Sequence, residues 1–158
     1  MSPSITIPTA SADETRELGR ALGALLEPGD VVALRGELGA GKTVLAQGVA
    51  TGLGFDGYVS SPTFVIVNEY RGRVVIHHVD LYRIEGEDEI DDLGYRELFF
   101  GEGVALVEWA ERGTTFLPDD RVDVLIESAS RDTRSLTVTA SGPRSEAVVE
   151  ALAARTED

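Results

Sequence analysis

Short apolar and alternating runs, broken by turns and interleaved with two stretches of helical spacing, set the pattern of this chain. Ile5-Thr6-Ile7 alternates and predicts a short strand, closed by Pro8 and Thr9. Ser11, with Glu14 three residues later, is a capping-box signal. Leu18, Leu22, Leu25 and Leu26 then recur at helical spacing, which predicts an amphipathic helix over 12–27. Pro28-Gly29-Asp30 is a turn, and Val31 to Leu34 has the continuous apolar character of a buried strand. A glycine-rich loop over Gly36 to Gly41 leads into a helix over about 43–51, ended near Gly52 and Gly54. The runs Phe64 to Val67 and Arg73 to Val79 flank the turn Arg71-Gly72 and predict an antiparallel hairpin with Asp80 at its end. Residues 85–100 are acidic, then aromatic, and predict one or two short helices. Val104 to Val107 is a second buried strand, closed by Glu108 and Trp109. Val122, Val124 and Ile126 alternate in a strand whose partner carries Leu136 and Val138, and a last helix covers about 144–155. This order predicts an α/β fold, with a mixed, partly antiparallel sheet flanked by helices.

Composition narrows the class. With 158 residues there is room for one domain with a real core, so residues 1–158 are expected to form a single unit. No apolar run reaches the ~18 residues of a membrane span, and Met1 to Ile5 lacks the basic-then-apolar layout of a signal peptide. The chain has no cysteine, which excludes disulfides and thiolate metal sites and fits a reducing compartment; a cytoplasmic protein is expected. A net charge of −14 repels phosphate backbones, so tight direct binding of nucleic acid is not expected. Lys42 is the sole lysine among 14 basic residues. In a chain that uses arginine wherever else a cation is needed, that marks a place for a compact ammonium rather than a planar guanidinium.

Lys42 lies in Gly36-Glu37-Leu38-Gly39-Ala40-Gly41-Lys42-Thr43, which fits G-x-x-x-x-G-K-[ST]. Glycines let backbone amides turn inward onto phosphate oxygens, and the following helix offers its N-terminal donors to the same anion. In such a loop the lysine reaches the β- and γ-phosphates and the threonine hydroxyl ligates magnesium, so ATP and Mg2+ are the expected ligands. The match follows a predicted strand and opens a predicted helix, the context the motif requires. Hydrolysis also needs an acidic group for the metal and a group that places water. Asp80 and Glu108 each end an apolar strand, where such an acid belongs; which holds the metal and which orients water is open, as are a capping role for Asp80 and a surface position for Glu108. Thr63 is either a switch residue sensing the γ-phosphate or an ordinary loop hydroxyl. His77 and His78 alternate on a strand, so one faces inward; two histidines without cysteine are a weak zinc signal. The acidic run Glu85, Glu87, Asp88, Glu89, Asp91, Asp92 reads as a solvated helix face or a partner-docking surface.

Taken together, these residues resemble the TsaE (YjeE) family, small bacterial P-loop ATPases of tRNA threonylcarbamoyladenosine modification. The resemblance runs over nearly the whole chain. It is carried by the Gly36 to Thr43 loop, Ser61-Pro62-Thr63-Phe64, Asn68-Glu69-Tyr70, His78-Val79-Asp80-Leu81-Tyr82-Arg83 and Val107-Glu108-Trp109. It implies that Lys42 and the amides of Glu37, Leu38, Gly39, Ala40 and Gly41 hold phosphates, that Thr43 and Glu108 serve magnesium, and that Asp80 takes the Walker-B place. It further implies Thr63 in switch I, Trp109 beside the nucleotide, Ser11 and Thr15 near the adenine, and Arg131 reaching the nucleotide. The partners it implies are TsaD, which transfers the threonylcarbamoyl group, and TsaB, its non-catalytic companion, with tRNA met only through that complex. Two other readings are a small-molecule kinase, for which Arg83 and Arg96 would be lid residues, and a nucleotide switch that does not hydrolyse.

Overall fold

Capping chemistry decides where the chain changes element. A computed structural model describes residues 3–37, 41–57, 59, 67–82, 84–110 and 113–156. Strand β1, Ser4–Thr9, gives way to helix α1, Ala12–Leu25, where the Ser11 side chain accepts from the Glu14 amide at 3.1 Å. Glu14 reaches back to the Ala10 amide at 3.2 Å, one residue earlier than in the standard box. Strand β2 is Val31–Arg35, and α2 is Lys42–Gly52. Gly54, just beyond α2, has φ +90°, a left-handed exit that favours glycine.

The predicted hairpin forms from β3, Val67–Arg71, and β4, Val75–Asp80; residues 64–66 of its first expected run lie outside the described residues. The acidic and aromatic stretch yields two short helices, α3 (Glu87–Asp92) and α4 (Tyr95–Phe100). Strand β5 is Val104–Glu108, β6 is Val122–Ser128, β7 is Arg134–Ala140 and α5 is Pro143–Thr156.

One seven-stranded sheet has the order β1-β7-β6-β2-β5-β4-β3. Its centre is parallel (β6, β2, β5, β4) and both edges are antiparallel, the mixed sheet expected from the sequence. Central β2 and β5 are apolar up to their last residues, Arg35 and Glu108, because helices cover both of their faces. On one face Val32, Leu34, Leu106 and Val124 pack with Leu22 of α1, Leu45 and Val49 of α2 and Leu152 of α5. On the other, Val31, Ala33, Ala105 and Val107 pack with Ile90 of α3 and Phe99 of α4.

The joint between α1 and α2 is tighter than leucine packing allows. Gly19 and Gly23 of α1 face Gly48 and Gly52 of α2. A Cβ on Gly19 would stand 2.5 Å from the Leu45 carbonyl oxygen, and one on Gly48 would fall inside the Arg16 carbonyl. The two backbones therefore meet directly along the middle and the C-terminal half of α2.

Candidate functional site

Strand β2 ends at Arg35, and Gly36 and Gly41 follow with φ of +153° and +107°, values that L side chains rarely adopt. Gly41 caps α2 and contributes no side chain, and the first turn of α2 holds no acid. Helix α1, by contrast, has Ser11, Asp13 and Glu14 at its start. The first turn of α2 thus lacks the acidic side chains that α1 carries at its own start, an arrangement suited to an external anion. Lys42, the first residue of α2, is only 5% exposed. Its ammonium donates to the Gly36 carbonyl at 2.8 Å and lies 3.7 Å from the centroid of the Trp109 ring, a cation–π contact. Thr43 is half-buried beside it, and Glu37 is exposed.

Two carboxylates meet this loop from the neighbouring strands. Asp80 and Glu108 are register partners at the ends of parallel strands β4 and β5. Strand alternation puts both on the α2 face, since Leu106 and Ile76 belong to the α2-side core. Glu108 is not a surface acid: it is 2% exposed, and its Oε2 lies 2.5 Å from Nε2 of the fully buried His78. A carboxylate oxygen accepts, so Nε2 carries the hydrogen. Nδ1 of the same ring lies 3.3 Å from the Tyr70 hydroxyl. Asp80 is half-buried and accepts the Tyr82 amide at 2.8 Å, so its capping role is real, whatever else it does. Burial, and next the charge of Glu108, push the Asp80 carboxyl above its ordinary value; the Tyr82 amide, Lys42 and His78 pull the other way without cancelling them.

The chain turns sharply after Glu108. Trp109 has φ +58°, the sole non-glycine positive φ among the described residues. A left-handed bulky residue costs about 1–2 kcal/mol. The turn carries the indole out of the strand line, between Lys42 and Tyr82, whose ring centroid is 4.8 Å away.

A cavity of about 130 Å³ opens on the other side of Gly41, lined by Ala12, Thr15, Gly41, Val44, Arg131, Asp132 and Arg134. The sequence-predicted Thr15 and Arg131 therefore share one cavity with the loop. Ser11 does not line it; its hydroxyl is occupied at the start of α1. Leu38, Gly39, Ala40, Thr63 and Arg83 lie outside the described residues. The sequence reading gave no site role to Arg134, His78 or Tyr70. For His78 the usable signal is its spacing: two residues before Asp80 on a strand, it must share that residue's face.

With this geometry in place, comparison with known proteins is informative. Residues 9–136 match the family model described as "Threonylcarbamoyl adenosine biosynthesis protein TsaE". A tRNA threonylcarbamoyladenosine biosynthesis protein TsaE of Bacillus subtilis is 45% identical over 145 residues, 91% of this chain and 90% of that protein. The protein of the same name from Treponema pallidum is 39% identical over 128 residues, covering 81% of this chain and 95% of its own length. The crystal structure of Bacillus subtilis YdiB superposes with a TM-score of 0.85 at 38% identity, covering 100% of this chain and 99% of that one.

Proposed function

The chain belongs to the TsaE family of threonylcarbamoyl adenosine biosynthesis proteins, and from that premise we propose that it binds ATP with magnesium at the Gly36 to Thr43 loop and hydrolyses it in support of TsaD and TsaB. The observation that carries this reading is the convergence of the Lys42 ammonium with two strand-end carboxylates, Asp80 and Glu108, below an α2 N-terminus that has no side-chain cap.

The residues present suit ATP and magnesium. Among the described residues beyond its chain neighbours, the nearest atom to a Cβ at Gly41 would be Arg134 Nε at 4.0 Å, which suits a phosphate cradle. The hydroxyl of Thr43 and the carboxylates are hard oxygen donors, the set that magnesium prefers. Bound magnesium would neutralise charge on the phosphates. Lys42 would exchange the Gly36 carbonyl for phosphate oxygens, and Thr43 with one of the two carboxylates would hold the metal. The other carboxylate would orient the attacking water. The cavity beside Gly41 would take the nucleoside end, with Thr15 and Arg131 on its walls. With a net charge of −14 the chain is a poor direct ligand for tRNA, so tRNA is reached through the partners.

The test is phosphate release from ATP by the purified protein, alone and with a TsaD–TsaB heterodimer. Slow release that rises with the heterodimer supports the accessory ATPase. Unchanged release despite ATP binding moves the reading to a nucleotide switch, and a phosphorylated metabolite formed without partners moves it to a kinase.

A further inference from the structure

A buried carboxylate is expensive unless something fixes and satisfies it. Glu108 is 2% exposed, and its Oε2 lies 2.5 Å from a histidine that is itself entirely buried. His78 belongs to β4 and Glu108 to β5; in the parallel register His78 is opposite Leu106, so it reaches Glu108 along the diagonal of one sheet face. The far nitrogen of the imidazole meets Tyr70 on the edge strand β3, where Tyr70 is also buried and stacked on Phe55 at 4.8 Å. Three adjacent strands thus contribute one residue each to a chain of polar contacts that crosses the α2 side of the sheet and reaches Glu108.

We propose that His78 is a positioning residue for Glu108: its Nε2–H holds Oε2, Tyr70 holds the ring through Nδ1, and together they set the plane in which the Glu108 carboxylate meets magnesium or water. This rests on the role for Glu108 proposed above. The arrangement is the one by which outer residues orient the groups that touch a metal, and loss of such a partner commonly costs 10–100-fold in metal affinity or activity. A merely structural histidine would satisfy the buried carboxylate without altering how it meets a metal or water, so a readout at the metal separates the two roles. The side chain of glutamine places its amide nitrogen near the position of Nε2, and leucine fills the space without donating, so the two substitutions separate hydrogen bonding from packing.

The experiment compares His78→Gln, His78→Leu, Tyr70→Phe and Glu108→Gln in the full chain. Turnover is read as kcat and KM with the TsaD–TsaB heterodimer, and Mn2+ affinity in the presence of ADP is read by electron paramagnetic resonance. His78→Leu should lower kcat about 10–100-fold and weaken Mn2+ binding, with little change in KM for ATP. His78→Gln should recover most of both losses. Tyr70→Phe, which keeps the ring packed, should lose in the same direction but less, and it carries the test if both His78 variants fail to fold. In a Glu108→Gln background, His78→Leu should cost nothing further. Full kcat and Mn2+ affinity in His78→Leu would overturn the proposal, as would a Gln variant no better than Leu. Should Glu108→Gln itself turn over normally, the role assigned to Glu108 has failed, a result distinct from failure of His78 alone.

Discussion

At the residue scale, two groups of the candidate site stand in environments that a bound anion or metal would change. Asp80 is the first. Burial beside Glu108 raises its folded-state pKa above the ordinary 3.8, so the folded chain binds that proton more tightly than the unfolded chain. Its contribution to stability is therefore fully present below pH ~4 and is lost as pH rises through the raised value. Asp80→Asn should raise the melting temperature of the nucleotide-free, metal-free protein at pH 7–8 and give no such gain near pH 3; a lower melting temperature at neutral pH would contradict the assignment. Lys42 is the second. Its ammonium is parked on the Gly36 carbonyl and the Trp109 face, and Trp109 is the sole tryptophan of the chain. Drawing the ammonium onto phosphate alters the indole's surroundings, so ATP should change the intrinsic fluorescence. Lys42→Ala should remove both that change and repeated turnover, as seen in a fluorescence titration followed by a phosphate assay.

At the element scale, the packing of α1 on α2 fixes the helix that follows the glycine loop. Helical glycine normally weakens a helix by about 1 kcal/mol relative to alanine. At Gly48 that propensity gain from alanine cannot win, because the added Cβ would enter the Arg16 carbonyl and force the helices apart. Overpacking of this kind costs about 1–3 kcal/mol, and Gly48→Ala should lower the denaturation midpoint accordingly. Because α2 begins at Lys42, the same variant should also weaken ATP binding, measured by calorimetry. Arg73 supports the joint from its far end, donating to the carbonyls of Gly23 at 3.0 Å and Leu26 at 2.7 Å as α1 runs out.

For the whole molecule, charge and covering are unequal. The acidic stretch leaves Glu85, Asp88, Glu89, Asp91 and Asp92 exposed, while Ile90 and Phe99 anchor α3 and α4 to the sheet. That face stands away from the α2 side, where the carboxylates and Lys42 lie. Replacing Asp88, Asp91 and Asp92 by lysine should weaken binding to a TsaD–TsaB heterodimer and flatten its salt dependence, with basal phosphate release unchanged. Equal affinity for the triple variant would exclude this surface from docking.

Much of this was legible in the chain itself. Hydrophobic period, the capping pair Ser11 and Glu14 and the glycine loop are local signals, so the helices, most strands and the Lys42 site follow from neighbours in sequence. The strand-end acids were also legible, because a carboxylate that closes an apolar run has few places to go. What no local signal contains is what lies across the sheet. That β1 pairs with β7, that Gly19 and Gly48 must both lack a side chain, and that Glu108 is buried against His78 and Tyr70 depend on contacts between distant segments. Those contacts exist only once the sheet order is set, and it is there that an acid at a strand end became a buried, oriented one.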